Sequence, residues 1–188
     1  MKSPKRPAQV VASGLTESDR IRSYADNPHY FAYRNKPILL VGNIQEYGWT
    51  AVSETSFNIE ADIRKLAEAG GNYTRLVPYF PGQPLLPWPK VNGRYDLTSI
   101  QTEWRERLHL YLDTCLAHDV IVHLELWDNA SIVHEDVWQQ HPFYPGNNLQ
   151  YGEGLLLPGV TRVEPPFYDS VPERTHIPEL LALQQIYA

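Results

Sequence analysis

The sequence predicts an α/β protein made of parallel β/α units, and three observations predict it. A helical apolar pattern runs into Gly70-Gly71, and the strand-forming run Tyr73-Thr74-Arg75-Leu76-Val77 comes out of it; glycine closes helices and β-branched and aromatic residues favour strands, so this is one αβ step. A second step follows, from a helical pattern over Thr98 to about His118 into the strand Val120–Trp127. Before both lies Pro37-Ile38-Leu39-Leu40-Val41, continuously apolar as a strand covered on both faces should be. Right-handed crossovers make three such strands parallel. Two architectures fit, the start of a TIM (β/α)8 barrel or half of a doubly wound sheet. No Gly-x-Gly-x-x-Gly follows a strand and no Gly-x-x-x-x-Gly-Lys occurs, so the nucleotide-binding open sheets are unsupported. Alternation over Val120–Trp127 sends Val122, Leu124 and Leu126 one way and His123, Glu125 and Trp127 the other. Polar residues on an inward face suit a barrel interior, so the expectation is the first three strands of a barrel.

Residues 1–23 read as a flexible N-terminal segment, with the partial barrel domain over 24–188. His29–Tyr33 and Pro37–Val41 are strand-like, with Arg34-Asn35-Lys36 as the turn of an N-terminal hairpin. Asn58 is placed to cap the next helix, with Glu60 and Asp62 in its electropositive first turn and Ile59, Ile63, Leu66 and Ala67 at helical spacing. The proline-rich stretch 78–92 reads as a rigid loop without regular structure. Thr98-Ser99-Ile100-Gln101 has the form of a capping box, and Ile100, Trp104, Leu108, Tyr111 or Leu112, and Cys115 continue its helix. A long loop runs from Asp128 to about Arg174, a length usually associated with function. Pro178–Ala188 closes the chain as a helix carrying Leu180, Leu181 and Leu183.

Composition narrows the function. With 188 residues the chain can bury one real core, and a net charge of −6 argues against general nucleic-acid binding, which rests on phosphate neutralisation. No apolar run reaches membrane-spanning length, and no apolar segment follows the basic start to form a signal peptide. The single cysteine, Cys115, rules out an internal disulfide and reads as a helix core position.

In parallel α/β folds the C-terminal ends of the strands carry the site. Those ends supply Asn43, Gln45, Glu46, Tyr47 and Trp49, then Arg75, Tyr79 and Phe80, then Trp127, Asp128 and Asn129. The long loop adds His134, Trp138, His141, Asn147 and Asn148. Arg75 is the one charge in its strand and needs a partner. Four of the five tryptophans fall in the loops rather than the helices, and flat aromatic faces ringed by amides and carboxylates suit a sugar. Other chemistries are weaker. His123 and Glu125 lack a further pair of metal ligands, His134-Glu135-Asp136-Val137-Trp138 fails His-Glu-x-x-His, and no Gly-x-Ser-x-Gly occurs. No metal or cofactor is expected.

The runs Asn27-Pro28-His29-Tyr30-Phe31 … Lys36-Pro37-Ile38-Leu39-Leu40-Val41-Gly42 and Gly71-Asn72-Tyr73-Thr74-Arg75-Leu76 resemble the opening of cellulase-like (β/α)8 glycoside hydrolases of clan A. Trp138-…-His141-Pro142-Phe143-…-Pro145-…-Asn147-Asn148 is similar to a loop after the third strand in that group. The resemblance implies retaining hydrolysis of a poly- or oligosaccharide by two glutamates about 5 Å apart on the fourth and seventh strands. It also gives Arg75 a supporting role beneath the nucleophile, since a nearby cation holds a carboxylate ionised. Neither glutamate carries over, because the pattern stops before a fourth strand and no Asn-Glu pair occurs. The substrate-binding residues expected are Glu46, Tyr47, Trp49, Tyr79, Trp127, Asp128, Trp138, Asn147 and Asn148. The expected activity is therefore that of a glycoside hydrolase-like protein, inactive or incomplete as this chain alone. The alternative is a non-catalytic carbohydrate-binding or self-associating truncated barrel. A closed barrel typically needs about 250 residues and eight strands. The expected partners are accordingly a carbohydrate and either a second copy of the chain or the rest of a barrel.

Overall fold

The computed structural model describes residues 20–42, 50–151 and 178–188. The chain forms two compact units, one ending at Leu40 and one beginning at Val41.

In the first unit, β1 (Arg22–Tyr24), β2 (Asn27–Tyr33) and β3 (Lys36–Ile38) form an antiparallel sheet in that order. Arg34 and Asn35 both take positive φ, 49° and 61°, and Tyr33 pairs directly with Lys36. Positive φ at both central residues is the condition for the primed two-residue turn, whose twist matches that of the strands it joins. The expected hairpin is present and gains β1 as a third strand, which overlaps the end of the segment expected to be flexible. The turn also decides the fate of the apolar run. Because Lys36 must pair with Tyr33, Pro37 and Ile38 are drawn into antiparallel register with Ala32 and Phe31. Leu39 and Val41 are left 69% and 50% exposed.

This overturns the expected fold class. Pro37–Val41 is not the first strand of a parallel set. Among the described residues the only parallel pair is β4 (Tyr73–Leu76) with β7 (Ile121–Leu124), in the register Tyr73↔Ile121 to Leu76↔Leu124. The other sheets of the described residues are antiparallel, and none of these sheets closes into a barrel. Continuous apolarity was compatible with a doubly covered strand, but a tight turn upstream fixes register more strongly than hydropathy does.

The second unit is organised by that parallel pair. Helix α1 (Ile59–Glu68) begins where the side chain of Asn58 accepts the N–H of Ala61, an N-cap worth about 1 kcal/mol. It ends in a Schellman motif: Gly70, at φ +82°, donates to the Ala67 carbonyl, and Gly71 donates to that of Leu66. Helix α2 (Thr102–Ala117) buries Trp104, Tyr111 and Cys115, spaced to share one face. Its start is not the expected capping box. Thr98 is bound instead by the carboxylate of Asp96, while Gln101 spends its amide on the carbonyls of Leu86 and Trp88. Both helices pack on one face of the strand pair. Thr74 and Leu76 point into that core, where the hydroxyls of Thr74 and Tyr111 lie 3.1 Å apart. Burial pushes the Cys115 thiol up to about 12, so it is an unreactive core group.

The two long connections fold back on each other. Residues 78–101 contain a small hairpin, β5 (Lys90–Val91) and β6 (Arg94–Tyr95), closed by Asn92-Gly93 at φ 52° and 83°. The rigid loop expected over 78–92 thus holds one arm of a hairpin, and Asn-Gly is the strongest short-range hairpin signal. After β7 come two single-turn helices, α3 (Ala130–Val133) and α4 (Glu135–Trp138). Tyr95 then bridges Asn148: its N–H donates to the Asn147 carbonyl at 2.8 Å, and its carbonyl accepts from Leu149 at 2.9 Å. The final helix, α5 (Pro178–Tyr187), forms where the sequence places it.

One charged side chain pins the segment before α1. The Arg107 guanidinium donates to the carbonyls of Ala51, Val52, Glu54 and Phe57 at 2.8–3.4 Å. The Glu54 carbonyl also accepts the Phe57 N–H at 3.1 Å, and Arg107 supplies a donor to all four. Replacing Arg107 by Met is expected to cost at least about 2 kcal/mol in denaturant unfolding. Arg105→Met, on the exposed side of the same helix, is expected to stay within about 0.5 kcal/mol. Equal losses would show that Arg107 acts only through helix α2.

Candidate functional site

Parallel pairing places the C-terminal ends of β4 and β7 side by side, and the face turned away from the helices is polar. Arg75 and Glu125 form an ion pair across it, with the Arg75 Nε donating to Glu125 Oε2 at 2.6 Å. One pair back, the Tyr73 hydroxyl meets His123 Nδ1 at 3.0 Å. Arg75 and Glu125 keep 42% and 27% of their side-chain surface, which places the pair in water's reach. An ion pair so placed adds about 0–1 kcal/mol and serves mainly to hold both groups in position. The polar face read as a barrel interior is therefore, among the described residues, a strand face that no helix covers, and Arg75 finds its partner fifty residues on. Glu125 keeps the ladder going past β7 by donating its backbone N–H to the Leu76 carbonyl.

Beyond the strand ends lies an aromatic cluster. Tyr79, Trp88 and Phe143 are fully buried, and Trp127 is half-buried against them. Trp127 meets Tyr79 and Phe143 edge-on at 6.1 and 5.6 Å and lies nearly parallel to Trp88 at 6.3 Å. Each favourable ring pair contributes about 0.5–1.5 kcal/mol beyond the area it buries.

The remaining expected site residues mostly hold loops. Asp128 is buried and accepts the Ser131 N–H at 2.7 Å, which secures the turn into α3. Asn147 donates to the carbonyls of Gln139 and His141. Asn148 donates to those of Pro142 and Tyr144 and accepts from the N–H groups of Gln150 and Tyr151. Trp138 is buried beside His141. Glu46, Tyr47 and Trp49 lie outside the described residues, as do Asn43 and Gln45. The structure thus brings Arg75, Tyr79 and Trp127 to one end of the strands, and of these Arg75 and Trp127 keep exposed surface. Among the described residues no group of three or more His, Cys, Asp or Glu side chains is placed to hold a metal ion.

The residue that organises this end is His141. It is fully buried, accepts the Phe143 N–H at Nδ1 (3.1 Å) and meets the Tyr79 hydroxyl at Nε2 (2.8 Å). An Nδ1 that accepts carries a lone pair, so the proton of the neutral ring sits on Nε2 and is donated to the Tyr79 oxygen. Protonating Nδ1 would set two donors against each other. Burial already disfavours the cation and lowers the pKa to about 3. The same burial raises Tyr79 well above the ordinary phenol range. From sequence, His141 stood in a list of polar loop residues. Its one distinguishing signal was the apolar and aromatic company of Trp138, Phe143 and Tyr144.

Comparison with protein-family models, with curated proteins and with solved structures finds no match to this chain.

The state of His141 links stability to pH. Its folded pKa lies below the unfolded value near 6.5, so the unfolded chain binds the extra proton first. Its contribution is complete above about pH 6.5 and is lost on acidification towards pH 3. At pH 5 the loss relative to pH 7 is expected to be about 2 kcal/mol. His141→Gln is expected to start less stable and to lose that slope between pH 7 and 5. An unchanged slope in the variant would place the linkage elsewhere.

Proposed function

We propose that this chain binds carbohydrate without hydrolysing it, as a glycoside hydrolase-like protein that uses an aromatic and ionic surface at the end of its parallel strands. The observation that carries this is the half-buried Trp127, packed against Tyr79, Trp88, Phe143 and Tyr187, two residues beyond the Arg75–Glu125 pair. A tryptophan held from behind by other rings offers a rigid face on which the C–H side of a sugar can stack. A charged pair beside it supplies donors and acceptors for hydroxyls, and charge-assisted hydrogen bonds of that kind are the stronger ones. The resemblance in Gly71-Asn72-Tyr73-Thr74-Arg75-Leu76 points to the same ligand class.

The described carboxylates argue against turnover. Retaining hydrolysis needs one carboxyl to act as nucleophile and a second, about 5 Å away, to act as acid and base. Glu125 is bound to Arg75, and Asp128 is bound to the backbone of Ser131.

Titration of the full chain with β-linked gluco- and xylo-oligosaccharides, followed by calorimetry, is the test. Binding is expected for the native chain, with a loss of about tenfold or more in Trp127→Ala, as a base-sized stacking contact of about 1–3 kcal/mol implies. Glu125→Gln is expected to weaken binding less and to reveal no lost activity on aryl-glycosides. Turnover by the native chain that Glu125→Gln abolishes would replace this reading with a catalytic one.

A further inference from the structure

Helix α5 places one side chain inside the aromatic cluster. The ring of Tyr187 sits 4.7 Å from that of Trp127, 5.0 Å from Trp88, 5.5 Å from Tyr79 and 5.8 Å from Trp104. Of its described side chains only Leu183 is buried with the cluster, while Ala182, Gln185 and Ile186 are exposed.

The slot that receives Tyr187 is chemically mismatched to it. Two buried donors there, Trp88 Nε1 and the Tyr187 hydroxyl, have no hydrogen-bond partner among the described residues. Trp88 is fully buried, so water does not serve its N–H from bulk. Native interiors pair nearly all such groups, and an unpaired one calls for an explanation. Burial also raises the Tyr187 pKa, so the group stays a neutral phenol and does not accept as an anion. The place that Tyr187 fills is bordered by four aromatic rings and carries an unused N–H, which suits a ring bearing oxygen acceptors.

We propose that Tyr187 stands in for a pyranose ring, and that α5 is a displaceable plug over an inner sugar subsite between Trp88 and Trp127. This rests on the carbohydrate reading above and adds a position and a gate to it. On displacement the Tyr187 hydroxyl passes to solvent and finds water. Trp88 Nε1 donates to a ring or hydroxyl oxygen of the sugar. The indole rings that now meet Tyr187 at a tilt meet the pyranose instead. A site that must first release its own side chain binds with an affinity reduced by the fraction of time it stands open. Removing the plug therefore tightens binding.

The test compares the native chain with Tyr187→Ala by calorimetric titration with a defined β-linked gluco- or xylo-oligosaccharide, the one that the native chain binds most tightly. The expected result is at least about tenfold tighter binding by the variant. Hydrogen exchange on the native chain gives a second reading that needs no substitution. Saturating sugar is expected to speed exchange of the α5 amides at 182–188 while slowing that of β4 and β7. Equal or weaker binding by Tyr187→Ala, with binding by the native chain intact, overturns the plug and leaves the carbohydrate reading standing. Unchanged or slower exchange in α5 on binding also overturns it, and does so even where the alanine variant does not fold. No binding by either protein overturns both readings together.

Discussion

A parallel pair of four-residue strands cannot hold a fold, and the second unit of this protein is built around that constraint. Among the described residues, the pair β4–β7 has helices on one face and none on the other. Elsewhere such a sheet is extended sideways until both faces are covered. Here the stabilising mass is moved past the strand ends, into two long connections locked together by the Tyr79–His141 contact and by the Tyr95–Asn148 bridge. A buried polar contact of this kind is effective because leaving either partner unpaired is costly. The neutral histidine belongs to the fold's architecture as much as the apolar rings around it.

The arrangement explains why so many polar loop residues are engaged with backbone. Connections that pack as a core bury carbonyl and amide groups which strands and helices would otherwise satisfy. Asn147, Asn148, Asp128, Gln101 and Arg107 do that work with their side chains. What remains for a ligand is small: the open strand face with Arg75 and Glu125, and the aromatic surface led by Trp127. The carbohydrate contact proposed above draws on these two features.

Local features were legible in the sequence, because they depend on neighbours a few residues apart. Asn58 as a cap, the Gly70 closure and the face shared by Trp104, Tyr111 and Cys115 follow from helix geometry alone. The need of Arg75 for a partner was also legible, and the alternation of β7 put Glu125 in reach. The sheet was not. Pro37–Val41 has the hydropathy of a covered strand, and only the turn at Arg34-Asn35 reveals that its first residues belong to a hairpin. The same limit applied at Thr98, where Asp96 competes for the hydroxyl that the capping pattern assigned to a helix start. His141 was hidden because its partner lies sixty-two residues away, on the other loop.

Native-state hydrogen exchange read at two places tests the central claim, that the interlocked loops and the parallel strands form one cooperative unit. The reporters are Ile121 and Glu125, whose N–H groups bond to Asn72 and Leu76 across the strand pair, and Tyr95 and Leu149, which bond across the loops. The account predicts that all four amides exchange only through the same global opening, with equal free energies that fall together as denaturant is added. Loop amides that open at distinctly lower free energy, while those of the strands stay protected, would contradict it. The strands and helices would then be the stable core, and the aromatic cluster only a covering laid over them.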